Sequence, residues 1–328
     1  MKSSSKLLFL STVIMSTIMM MSSNNLITMW ISMEINLLSF IPLISKSNNM
    51  SSSETSMTYF MVQSMSSMLF IMSMMISKFM LMTDQGSIMM TMMMMSMMMK
   101  LGMPPFHQWF PQIMNKMKWK ECLMLMSWQK IAPMYVMTNM MTNKTMYIMI
   151  MSTMIGSIMG LNHTSMRKIM AYSSINHMGW MLACSLMNKK SWMLYLTVYT
   201  SMILMLCLMM NKYNIYYINQ TNMQMKTFTE KMSFTLMMLS MGGMPPMLGF
   251  FPKWMVIQYM ISSTEMLIIM IMMMSTLVTL FYYMRMINTI MIMNSQSQKW
   301  TLMKSDNMLK LLMMNLTLPM IMIVFMFM

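Results

Sequence analysis

Acidic side chains are scarce in this chain: seven in 328 residues, with charged residues of either sign making up only 9% of it. A soluble globular domain carries roughly 25%, and no polar stretch here is long enough to form one, so that class is excluded. Six of the acidic residues (Glu54, Asp84, Glu121, Glu230, Glu265 and Asp306) fall in loops or at the ends of apolar runs. With so few carboxylates, no Ser-His-Asp arrangement can be argued. Glycine-rich phosphate loops are also missing, which removes nucleotide binding by a Walker or dinucleotide fingerprint. Cysteine is nearly absent. Cys122, Cys184 and Cys207 lie far apart without a Cys-x-x-Cys pair, and the histidines lack ligand spacing, so neither a metal site nor a structural disulfide is expected.

What is present is apolar: 57% of the residues are hydrophobic. Runs of about twenty residues recur from end to end, each long enough to cross ~30 Å of hydrocarbon at ~1.5 Å per residue. The fold class expected is an all-α polytopic membrane protein forming one membrane domain over residues 1–328. Eleven helices are expected near 7–22, 26–45, 57–77, 87–105, 122–141, 146–161, 168–186, 192–211, 232–250, 265–286 and 308–327. The opening MKSSSKLLFL is followed by no small-residue cleavage site and soluble domain, so it is expected to be a retained first span. Methionine, at 77 residues, is spread over every segment and not gathered on one face. It stands where Ile or Leu would, as an AT-rich mitochondrial gene with an altered isoleucine codon would produce.

The net charge of +15 comes from basic residues scattered in short loops, without a basic face or an RNA-binding motif, so no nucleic-acid partner is expected. Membrane topology accounts for them. On the expected spans, fourteen Lys and Arg residues fall on one side (Lys2, Lys6, Lys46, Lys116, Lys118, Lys120, Arg167, Lys168, Lys212, Lys226, Lys231, Arg285, Lys299, Lys304) and four (Lys78, Lys144, Lys189, Lys190) on the other. Lys310, at a helix end, can snorkel to the first side. The bias puts the N-terminus on the inner, matrix or cytoplasmic, face.

Two stretches repeat. LGMPPFHQWFP at 101–111 and GGMPPMLGFFP at 242–252 share Gly-Met-Pro-Pro and a later Phe-Pro or aromatic-Phe-Pro, at an offset of 141. Proline removes a backbone N–H and obstructs the preceding turn, and a freed carbonyl in lipid is costly unless protein or water satisfies it. The fourth and ninth helices are therefore expected to break there and resume near 106–118 and 252–261. Five crossings separate them, so they run in opposite directions. This predicts two inverted five-helix repeats, about 7–141 and 146–286, followed by an extra helix at 308–327, with broken helices at a wet midplane as in many transporters.

Four ionisable residues fall inside spans: Glu34, Lys100, Lys130 and Lys253. Each costs at least ~2.5 kcal/mol at the bilayer centre unless paired or hydrated. Asn36 and Ser39 offer polar company to Glu34, and Pro133, following Lys130, loosens the same turn. For Lys253, a buried functional charge and a lysine snorkelling from a helix end are evenly matched readings. Desolvation disfavours an ammonium and a nearby carboxylate restores it, so a buried lysine whose partner moves can hold or release a proton. Glu34 is expected to modulate Lys100, and Lys130 to pass the proton onward. His107 and His177 can join such a relay or be buried structural residues, while His163, in a loop, is expected at the surface.

KLGMPPFHQWFP, WQKIAPM, RKIMAYSSINHMGW and GGMPPMLGFFPKW, with WISMEINLLSFIP before them, resemble in order the signature stretches of a known family. It is the NADH dehydrogenase subunit 2 family, the antiporter-like membrane subunits of mitochondrial respiratory complex I. The similarity covers about residues 26–285 and fades after about 290. Pro104 stands where the family often has Ala. The resemblance implies that Glu34, Lys100, Lys130 and Lys253 match the family's membrane glutamate and its three lysines. It implies proton translocation across the mitochondrial inner membrane, driven by electron transfer from NADH to ubiquinone in partner subunits. It also implies that NAD and ubiquinone serve the complex while this chain binds no cofactor, and that its partners are other membrane subunits, phospholipids, protons and water. Two rival readings are an autonomous cation/proton antiporter and a structural membrane spacer.

Overall fold

The structure is a computed structural model of the chain, and it describes residues 3–45, 49–79, 86–141, 145–225, 227–263 and 265–296. The described residues contain fourteen helices and no strand, only an isolated bridge between Ser165 and Tyr217. The expected helix at 308–327, and Lys2, Lys46, Asp84, Lys144, Lys226, Lys299, Lys304, Asp306 and Lys310, lie outside the described residues.

The chain divides between residues 144 and 145 into two compact units. The first contains α1 (Ser3–Ser22), α2 (Leu26–Ile44), α3 (Met50–Phe79), α4 (Gly86–Leu101), α5 (Trp109–Lys116), α6 (Trp119–Met126) and α7 (Trp128–Asn139). Within it α1 packs on α2, α3 on α2 and α4, and α7 on α4 and α6. The second contains α8 (Thr145–Gly160), α9 (Met166–Met187), α10 (Ser191–Tyr213), α11 (Gln220–Gln224), α12 (Phe228–Gly242), α13 (Phe250–Ser262) and α14 (Met266–Gln296). Here α9 is the central helix: it is buried almost throughout and packs against α8, α10, α13 and α14.

Five helices (α1, α2, α3, α10 and α14) are long and apolar enough to cross a membrane. Their outward residues are themselves apolar, such as Leu7, Met65, Leu267 and Phe281, as lipid contact requires. Methionine serves both sides, with Met97 and Met114 fully buried while Met65 and Met68 are exposed.

The helix boundaries differ from expectation in three places, each for an identifiable reason. First, α4 stops at Leu101 and α12 at Gly242, before and not after the paired prolines. The stop is made by glycine. Gly102 (φ 67°) and Gly243 (φ 78°) adopt the left-handed conformation that favours Gly at a helix C-terminus. At the first, Gly102 N–H bonds Met99 O and Met103 N–H bonds Met98 O; at the second, Gly243 N–H bonds Ser240 O and Met244 N–H bonds Leu239 O. These are two copies of one Schellman turn. The prolines then prevent the helix from restarting at once.

Second, the expected helix 122–141 is two helices, α6 and α7, meeting at Ser127. Pro133 has no N–H, and its ring crowds the carbonyl four residues earlier, that of Gln129. The disturbance therefore lies N-terminal to the proline, where Lys130 N–H reaches back only three residues to Ser127 O. Third, α3 and α14 span 30 and 31 residues, longer than the expected 57–77 and 265–286: a polar first turn, residues 51–56, lengthens α3 at its start, and α14 runs on to Gln296 at its end.

Candidate functional site

In the first unit, Lys100 rides on the last turn of α4 and Lys130 on the first turn of α7, and they are 7% and 2% exposed. Both line one cavity with about 20 Å³ open to water, room for roughly one molecule. Asn36, Tyr59, Gln63 and Gln129 supply the rest of its polar wall, and Met33, Phe110 and Pro133 are among its apolar members.

The amides are fixed by their own bonds. Asn36 Nδ2 donates to Gln129 Oε1 at 2.9 Å, and Gln129 Nε2 returns a bond to Asn36 Oδ1 at 3.2 Å. Tyr59 Oη donates to the same Gln129 oxygen at 3.5 Å. Gln63 Nε2 donates to Lys100 O at 3.2 Å, and Trp109 Nε1 to Met99 O at 3.1 Å. These last two bonds satisfy carbonyls that the end of α4 leaves open, so the break is stabilised from α3 and α5. Lys100 Nζ itself lies 3.5 Å from Met33 Sδ, a weak acceptor, and Lys130 Nζ lies 5.9 Å from the centre of the Phe110 ring.

Glu34 occupies a different place from the one its neighbours in sequence suggested. It is half-buried and does not line the cavity, although its charge acts on Lys100. Asn36 turns to Gln129, and Ser39 Oγ to Asn36 O at 2.9 Å, so neither serves the glutamate. Its Oε1 is buried without a hydrogen-bond partner. His107 is buried beside the break, with Nδ1 3.3 Å from Pro105 O, and it too stands off the cavity wall.

In the second unit, Lys253 points into the protein. It is 4% exposed, and its Nζ donates to Gly242 O at 3.0 Å. It therefore reaches inward from α13 to a carbonyl at the end of α12, a cation at a helix C-terminus, with the Trp180 ring 5.9 Å away. His177 is buried on α9 and its Nδ1 lies 2.9 Å from Tyr195 Oη. The Tyr199 ring is 4.9 Å from the imidazole.

His163 lies in the loop between α8 and α9 and is part-exposed. It stacks on Tyr172 with ring centres 5.1 Å apart. Arg285 of α14 holds this loop by donating to Leu161 O and His163 O at 2.5 and 2.7 Å. Burial, then the positive charges of Lys168 and Arg285, keep the imidazole below its ordinary value.

Against known proteins, residues 23–279 match the family model described as NADH:quinone oxidoreductase/Mrp antiporter, TM. The protein named NADH-ubiquinone oxidoreductase chain 2 of Locusta migratoria is 38% identical over 303 residues, 90% of this chain and 88% of its own length. This chain belongs to the NADH-ubiquinone oxidoreductase chain 2 family. The protein of that name from Anopheles gambiae is also 38% identical, over 94% of this chain and 92% of its own. Among solved structures, a chain of respiratory complex I from Thermus thermophilus superposes with a TM-score of 0.82 at 16% identity, covering 96% of this chain and 78% of the other. A chain of the Mrp complex from Dietzia gives 0.74 at 15%, covering 85% and 59%. These likenesses show that this chain shares its fold with a chain of each assembly.

Three residues of this chain 2 family member escaped the reading of its sequence: Gln63, Gln129 and Tyr59. Neutral amides and a phenol are tolerated in membrane helices at modest cost, so they give no signal like that of a stranded charge. The available hint was position: Gln129 directly precedes Lys130.

Proposed function

We propose that this chain is a core antiporter-like membrane subunit of respiratory complex I that carries protons across the mitochondrial inner membrane. Electron transfer from NADH to ubiquinone in partner subunits drives it. The observation that carries the reading is the single small cavity lined by two buried lysines from two helices, Lys100 and Lys130, with an amide and phenol wall. The cavity has room for about one water beside both lysines, and Glu34 acts on Lys100 through its charge. A change in their separation changes how firmly Lys100 holds its proton, and Lys130 is the next station. Lys253, with His177 and His107, continues or regulates the relay elsewhere in the chain.

The finer architecture belongs to the same reading. The paired Schellman turns at Gly102 and Gly243 support two inverted five-helix repeats within eleven spans, with the N-terminus toward the matrix. This chain supplies no flavin, iron–sulfur or nicotinamide site. Its partners are the other membrane subunits, phospholipids, water and protons.

A second reading, an autonomous cation/proton antiporter, is supported by the family description, which spans Mrp antiporters. One variant separates the readings. In the assembled complex Lys130→Met is expected to abolish NADH-linked proton pumping in proteoliposomes and to slow NADH oxidation, because the coupled steps stall together. Pumping that survived would leave a structural spacer. Transport by the purified wild-type chain in liposomes without NADH would favour the antiporter.

A further inference from the structure

Tyr195 on α10 is 1% exposed and His177 on α9 is 3% exposed. Among the described residues, the hydrogen-bond partner of the Tyr195 hydroxyl is His177 Nδ1, at 2.9 Å. The Cys184 thiol and the Tyr283 hydroxyl are near, yet neither bonds it. A buried O–H without an acceptor costs about 1–3 kcal/mol. The phenolic hydrogen therefore points at Nδ1, and a neutral imidazole that accepts at Nδ1 carries its own hydrogen on Nε2. The surroundings contain further buried polar atoms: Ser174 lies by Tyr199, and the paired Tyr282 and Tyr283 rings sit 4.7 Å apart.

We infer that Tyr195 is a member of the proton path: it fixes His177 in the Nε2–H form and delivers the proton that this imidazole takes up at Nδ1. The hydroxyl passes its hydrogen to Nδ1 as the phenol oxygen accepts an incoming proton on its other side. The ring becomes an imidazolium and the tyrosine stays neutral, with one proton gained in all. In the reverse step Nδ1 returns its hydrogen to the oxygen. The inference rests on the proton-carrying reading of the chain.

Two measurements on the assembled complex test it. The first is the nitrogen NMR spectrum of histidine-labelled complex at rest. The chain has three histidines, so comparison with His177→Gln assigns the signal. The wild type is expected to show one tautomer, Nε2–H, and Tyr195→Phe a mixture of both. Tyr199→Phe, the same chemical change one turn along α10, is expected to leave a single tautomer. The second is NADH-linked pumping in proteoliposomes, expected to fall at least about tenfold in Tyr195→Phe, the low side of what a positioned proton donor contributes. An Nδ1–H wild-type spectrum, an unchanged spectrum in Tyr195→Phe, or unchanged pumping overturns the inference. If Tyr195→Phe does not assemble, the wild-type spectrum alone decides the tautomer. The resting spectrum involves no turnover, so a failure of the Lys130→Met test condemns the transport reading and is distinguishable from a failure here.

Discussion

At the end of α12, Gly243 and Lys253 depend on each other. A Cβ on Gly243 would lie 2.7 Å from Lys253 Nζ, on a backbone already at φ +78°. The left-handed backbone alone costs roughly 1–2 kcal/mol for a residue with a Cβ, and the lysine would also lose its bond to Gly242 O. Gly243→Ala is expected to destabilise the chain by about 2–3 kcal/mol, read as a lower unfolding temperature of the purified complex. Gly242→Ala is the contrast, since its Cβ meets Tyr283 only at 3.6 Å and should change stability little. His163 offers a pH counterpart. Its folded value lies below the unfolded one, held down by burial, Lys168 and Arg285. The unfolded chain therefore binds the proton more readily, and the stability this loop contributes is fully present above the ordinary histidine value of about 6.5 and is lost as pH falls from there through the lower folded value. Comparing the unfolding temperature of wild type and His163→Gln across pH 5–8, a window of about three units around that value, should show a steeper acid loss in the wild type. Charges stranded in apolar helices were legible at this scale because their cost is large. The hidden amides and the inward turn of Lys253 were not, because they depend on which neighbour faces them.

Among the elements, the two broken helices were legible in place but not in cause. Proline marked the break, whereas glycine, two residues earlier, ends the helix with its own hydrogen bonds. Pro133 marked a loosened turn at Lys130, but the full division at Ser127 was not legible, since a single proline inside an apolar run ordinarily bends a helix without dividing it. The α8–α9 pair adds a feature that periodicity does not reveal. Gly156 sits so close to α9 that a Cβ would meet Asn176 N at 2.6 Å, and Gly179 so close to α8 that one would meet Ser152 Oγ and Thr153 Cγ2 at 2.5 Å. Small residues of this kind let membrane helices approach backbone to backbone. Gly179→Val is expected to cost more than about 2 kcal/mol and to reduce the amount of assembled complex on native gels. It would also move α9, the helix that carries His177.

For the molecule as a whole, composition was a sufficient guide to class: an all-helical membrane protein with little charge could hardly be anything else. Family membership came from short motifs whose order matters more than any one of them. The Lys130→Met experiment belongs at this scale, because it asks whether oxidation in one part of a large assembly and proton movement in this chain can proceed separately. A stalled complex, slow in both, is the expected result. Where the helices of each unit meet was not legible, because that depends on side chains such as Asn36 and Gln129, 93 positions apart.

The size and lining of the Lys100–Lys130 chamber also bear on ion selectivity. A space of about 20 Å³ open to water holds roughly one molecule, and so has no room for sodium or potassium with a full hydration shell. A bare metal ion would need several oxygen ligands in place of that shell, and the wall sets two lysine side chains among its amides and phenol and holds no carboxylate. Two lysines and no carboxylate make that wall a poor host for an alkali cation.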